Sequence, residues 1–324
     1  MELRLYRYKC RVKKLICFFS VLPIFAFSNP INTDSTSNQL DATRKRRLIT
    51  TTAIVQTGAL TGVFVGLNEA WYKQYPRTSF HVKKDFMCWQ QIDKAGHAWT
   101  TYQYSRLFTG VWREVKLKRI PSMIIGTSTA ILAQSTMESL DGFSEAWGFS
   151  WGDMTANTIG ATTFAAQEAI WGEQRVTFKM GYMPEPYRES SLKERASELY
   201  GKSFNQKILK DYNAQTYWAS FNLKSFARNS GIPSWLNVAV GYGASGMYGA
   251  MGNGWADATG TYHNREDIAR LRHFYLAPDI SLSRINTRHK WLKKVLFVAD
   301  MIKIPAPTLE YTSEGKLLFK PFWL

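Results

Sequence analysis

Between Asp93 and Gly160 the sequence runs through three helix-length apolar segments, each bounded by residues that start or stop helices. Asp93 is a good N-cap, and the segment after it extends to Arg113. Pro121 suits the first turn of a second helix, which ends where Asp141-Gly142 offers a C-terminal glycine. Ser150 with Asp153 three residues later reads as a capping box for a third helix, running to Gly172. Connections this short make consecutive helices pack antiparallel, so the stretch dictates a bundle. Gly126, Ala130, Ala133, Ala156, Gly160 and Ala161 are small enough to let its helices approach closely.

The same geometry gathers polar residues. Asp93 and His97 open the first helix, Glu138 and Asp141 close the second, and Asp153 and Asn157 open the third, which predicts all six at one end of the bundle. An antiparallel preceding helix adds Asn68 and Glu69 to that end. Asp93 to His97 and Asp153 to Asn157 are i,i+4 pairs and Glu138 to Asp141 is i,i+3, so each pair shares a helical face. Two carboxylates at a helix C-terminus oppose the macrodipole by about 0.3–1 kcal/mol each. Compensation must come from the N-terminus of the third helix, a protonated His97, a bound cation or Lys94.

Two readings of this cluster stand side by side. In one, Asp93, Lys94, Ser150 and Asn157 belong to a hydrogen-bonded structural network. In the other, His97, Glu138, Asp141 and Asp153 are catalytic. A divalent metal on His97, Glu138 and Asp141 would activate a water. Without metal, the same groups form an acid–base pair for an ester or phosphoester. The chain has no HExxH, no GxSxG and no P-loop to choose between them.

The flanks bear on location. Residues 1–28 read as an export signal, with a basic start, an apolar run from Leu15 to Phe27 and a small-x-small site at Ala26 and Ser28. Removing them leaves Cys88 alone, so no internal disulfide is expected. A polar and basic linker, 29–47, ends in Arg44-Lys45-Arg46-Arg47. The uncharged run from Leu48 to Leu67 is long enough to cross a bilayer. Its Thr, Gly and Gln content and a mean hydropathy of −0.26 for the whole chain favour a packed helix in the domain 48–175. The net charge of +16 suits a membrane surface or other anionic envelope components as partners. No nucleic-acid recognition motif is present.

Beyond Arg175 the texture changes. Residues 189–212 are charged and helix-permissive, whereas Trp235 to Tyr248 and Phe274 to Leu282 alternate as short strands. Trp291, Leu292, Val295, Val298 and Ile302 form a helical stripe expected to pack on the domain. The aromatic tail invites an outer-membrane barrel, for which too few regular alternations are evident. The expected fold is therefore mainly α: an antiparallel bundle of about four helices, then an α+β extension, 176–324, packed on it.

Asp93-Lys94-Ala95-Gly96-His97, Glu138-Ser139-Leu140-Asp141-Gly142 and Gly148-Phe149-Ser150-Trp151-Gly152-Asp153 with Asn157 and Gly160 resemble the YfiM-like predicted periplasmic lipoproteins, a family of unknown function. The resemblance extends over residues 65–175. A fainter one, in the DK-x-x-H start and the D-x-x-x-N-x-x-G end, is to the VanZ-like membrane proteins. It implies an envelope location and a small helical domain, and supplies no reaction. The lipoprotein cysteine is missing, since Cys17 lies inside the apolar run with no small residue before it.

Overall fold

The computed structural model describes residues 38–324 apart from 71, 185, 188 and 258. The expected leader, 1–28, lies outside the described residues. Eight α-helices are described: α1 (Asn38–Ala70), α2 (Ile92–Glu114), α3 (Arg119–Gly142), α4 (Trp151–Trp171), α5 (Ser190–Tyr200), α6 (Phe204–Lys210), α7 (Leu223–Phe226) and α8 (Lys290–Ala299). The strands are β1 (Val176–Tyr182), β2 (Gln215–Asn222), β3 (Leu236–Ser245), β4 (Gly254–Ala256), β5 (Tyr262–Asn264), β6 (Leu271–Ile280), β7 (Ala306–Thr312) and β8 (Leu317–Trp323).

With 49% helix and 22% strand the protein is not mainly α, contrary to the expectation from its sequence. Strands β1, β2, β7 and β8 escape a reading of hydrophobic pattern because their inward positions are largely polar. Lys179, Ser220, Asn222, Thr308, Glu310 and Thr312 are buried, while Phe221, Leu309 and Tyr311 are exposed. Alternation is present, with its usual polarity reversed.

The chain divides into two compact units, one made of residues 100–173 with the described residues up to 84, the other of 85–99 with 174–324. In the helical unit α3 begins with Pro121 in its first turn and ends at Gly142, as its sequence predicts. Gly142 is there for a different reason from the one expected: it is not left-handed, and a Cβ would lie 2.4 Å from the Phe80 ring. Gly172 does take the left-handed cap of α4 (φ 70) and donates to the Glu168 carbonyl. Gly126 lets α3 meet α2, since a Cβ would be 2.5 Å from the backbone nitrogen of Thr109. Around this crossing Tyr102, Phe108, Trp112, Ala130, Ala161 and Phe164 are buried together with Gln103, Ser105 and Arg106.

Residues 76–83 are pinned along the α3–α4 connection by backbone hydrogen bonds, including His81 N–H to Gly142 and Phe149 N–H to His81. α1 corrects the packed-helix expectation. Only 6% of its apolar window is buried, with Ile54 68% and Val65 58% exposed. Among the described residues, Gln56 Nε2 ties it to α3 by donating to Thr129 Oγ1 at 3.2 Å.

The second unit is built on a six-stranded antiparallel sheet in the order β1-β2-β3-β6-β7-β8, with β4 and β5 pairing separately. The sheet curls: the free edge of β1 is bridged at Met180 by residues 301–303, and Thr216 Oγ1 donates to the Leu324 carbonyl at 2.8 Å. Register puts Phe178, Ala219, Val240, Leu276, Leu309 and Phe319 in one outward row across all six strands. The inner face carries Trp218, Ala239, Tyr275 and Ala277, against which Trp323 of the tail packs. α8 also departs from expectation, since none of its residues is buried and Trp291 and Val295 are exposed.

Candidate functional site

In the helical unit the polar candidates knit the end of α3 to the start of α4. Ser150 caps α4 by accepting the Asp153 N–H at 3.0 Å. The return bond of a capping box comes from another residue: the Ser150 N–H donates to Glu138 Oε2 at 3.3 Å. The positive end of α4 is thus what offsets a carboxylate at the unfavourable end of α3. About two helical turns into α4, Asn157 Oδ1 accepts from Thr101 Oγ1 at 2.7 Å and from Gln134 Nε2 at 3.2 Å. Glu138, Ser150 and Asn157 are each about 1% exposed.

Asp141 is served separately. The Tyr72 hydroxyl donates to its Oδ1 at 2.8 Å. Burial, then the charges of Asp141 and Glu138, push the Tyr72 phenol far above its ordinary range, so it remains a donor at any pH the fold survives.

Asp93, Lys94 and His97 belong to the sheet unit. α2 begins at Ile92, straight after left-handed Trp89, Gln90 and Gln91, so Asp93 sits in the first turn instead of capping it. Its carboxylate accepts from the Tyr212 hydroxyl at 2.8 Å and from Lys94 Nζ at 3.0 Å, and lies 3.9 Å from His97 Nε2. Lys94 also pairs with Asp85 at 2.9 Å. Burial alone would raise the Asp93 pKa, but His97, Lys94 and the Tyr212 hydroxyl outweigh it and hold the carboxyl below its usual range. Gly96 is backed so closely by Tyr217 that a Cβ would be 2.9 Å from its hydroxyl.

Tyr72, Thr101, Gln134 and Tyr212 are the partners that sequence reasoning missed. Tyr212 is 119 residues from Asp93, and nothing in local spacing announces such a pairing. Inside the sheet another set went unread: Lys179 Nζ lies 2.8 Å from Asp279 and 2.9 Å from Asp300, and Lys303 lies 3.4 Å from Asp279, all with fully buried side chains.

Residues 88–168, which contain every one of the sequence-predicted site residues, match the family model described as predicted periplasmic lipoprotein (DUF2279). The protein is exported to the cell envelope. No curated protein and no solved structure matches the chain.

Chemically, the helical-unit set is an array of engaged donors and acceptors. Glu138, Asp141 and Asn157 each accept hydrogen bonds from the protein, which suits holding α3 and α4 in register.

Proposed function

We propose that this protein is a membrane-associated binding or structural component of the envelope, anchored in lipid by α1. The carrying observation is the exposure of that helix. An 18-residue window within Thr43–Glu69 has a mean hydropathy of 1.5 and is almost entirely unburied, and no charge falls between Leu48 and Leu67. A surface of this kind is costly in water and favourable in hydrocarbon. Arg44-Lys45-Arg46-Arg47 at its start suits anionic headgroups. Within the same unit Ile124, Leu132, Ile159 and Ile170 extend the apolar exterior, while Arg106, Glu138, Asp153 and Glu168 are buried. The YfiM-like character is part of this reading, since most of its motifs lie in the matched span.

Alkaline carbonate treatment of membranes carrying the full chain tests it. Retention in the pellet, with release when Ile54 and Val65 are both changed to Lys, is expected; release of the wild type into the supernatant sinks the anchor.

A second reading, a divalent ion taken by His97 with a neighbouring carboxylate, draws on the Asp93–His97 pair and the part-exposed imidazole. Elemental mass spectrometry of purified protein beside folded His97→Ala decides it: stoichiometric metal lost in the variant favours a metal site, and none in either leaves the hydrogen-bonded network.

A further inference from the structure

Three adjacent strands of the sheet carry a serine, a histidine and a glutamate in diagonal succession. Ser245 ends β3, His273 lies near the start of β6 and Glu310 is central in β7. Register pairs Gly243 with His273 and His273 with Thr312, so Ser245 and Glu310 are each two residues from the position facing His273. Diagonal neighbours of this kind share a face and reach one another. Ser245 Oγ is 2.7 Å from His273 Nε2, and Glu310 Oε1 is 2.5 Å from His273 Nδ1.

From this geometry we infer that Ser245, His273 and Glu310 form the nucleophile, base and orienting carboxylate of a serine hydrolase acting on carboxylic esters. The arrangement supplies a base within hydrogen-bond reach of the hydroxyl, and a carboxylate at ion-pair distance from the other ring nitrogen, an alignment that tightens when substrate binds.

The surroundings fit these roles. Glu310 is about 2% exposed, and its second oxygen lies 2.9 Å from Lys320, whose ammonium sits 3.3 Å from the Trp323 ring centre. Burial would raise the Glu310 pKa, but His273 and Lys320 keep it below its ordinary range, so the carboxylate stays charged beside the imidazole. The His273 ring is stacked on Tyr275 with an interplanar angle of 13°, which limits its rotation. Ser245 is only partly buried and is followed by Gly246 at φ 73, where a Cβ would collide with the Ala269 carbonyl. The left-handed turn lets the backbone after the hydroxyl pass close against Ala269.

In the reaction Ser245 Oγ adds to the ester carbonyl carbon as its proton passes to His273 Nε2. The carbon–oxygen bond to the alcohol breaks, and the alcohol leaves with that proton. Water, deprotonated by the same nitrogen, then attacks the acyl carbon. The acyl–serine bond breaks, the proton returns to Ser245 Oγ, and the acid departs. The site is independent of α1 and of the membrane reading.

The test is labelling of the full-length, detergent-purified chain with an alkyl fluorophosphonate, mapped by peptide mass spectrometry, alongside hydrolysis of p-nitrophenyl butyrate and p-nitrophenyl palmitate. An adduct on Ser245 is expected, with hydrolysis falling by about 10³-fold or more in Ser245→Ala and in His273→Gln at unchanged melting temperature. Preference for palmitate marks lipid acyl esters as the source, and preference for butyrate marks soluble esters. A folded wild type that neither labels at Ser245 nor hydrolyses either ester overturns the proposal. So does hydrolysis that survives in Ser245→Ala.

Discussion

The hydroxyl of Tyr212 donates to the carboxylate of Asp93 at 2.8 Å, joining the second residue beyond α6 to the first turn of α2. With Lys94 and His97 it holds Asp93 ionised despite burial. A carboxyl whose folded pKa is depressed stabilises the fold above its unfolded pKa and loses that contribution as pH falls through the folded value.

Asp93→Asn should therefore be less stable than wild type at pH 7, with the gap closing below about pH 4. Tyr212→Phe removes one bond to a charged acceptor and is expected to cost about 1.5–3 kcal/mol. Urea midpoints of the three proteins at pH 7 and at about pH 2.5 check both; equal gaps at the two pH values would contradict the assignment.

The Ser150 cap and the Glu138 carboxylate address the same helix end. Ser150→Ala is expected to cost about 1 kcal/mol. Glu138→Leu should cost more, because it strands the buried Ser150 N–H. A double-mutant cycle should show the two coupled by at least ~0.5 kcal/mol, and strict additivity would argue against a shared role.

At Gly126 the chain has no room for a side chain, whereas at Gly58 nothing lies within 4 Å of an added Cβ. Gly126→Ala should destabilise by about 1–3 kcal/mol through overpacking against α2. Gly58→Ala should be neutral or mildly stabilising through helix propensity. Thermal melts of the pair provide an internally controlled comparison.

Lys179 faces both Asp279 and Asp300 in a site closed to solvent. Lys179→Met leaves those carboxylates short of a partner and is expected to cost about 3–5 kcal/mol. Lys179→Met with Asp300→Leu should recover part of that loss, read from denaturant midpoints. No recovery would mean the lysine matters through packing alone.

What the sequence determined by itself was local. Pro121, Ser150 and Gly172 set helix boundaries that α3 and α4 obey, because caps and stops act within one turn. The polar residues of the 88–168 stretch were legible as a group for the same reason. The function of each was not, because Tyr72, Tyr212, Thr101 and Gln134 reach them only through folding. The sheet lay further from view. Its strands pair across long separations and turn polar residues inward, so a pattern search for buried apolar faces finds β3 and β6 and passes over β1, β2, β7 and β8. Tertiary structure alone placed Ser245, His273 and Glu310 on one inner face, because strand register, which no single segment encodes, decides which residues become neighbours.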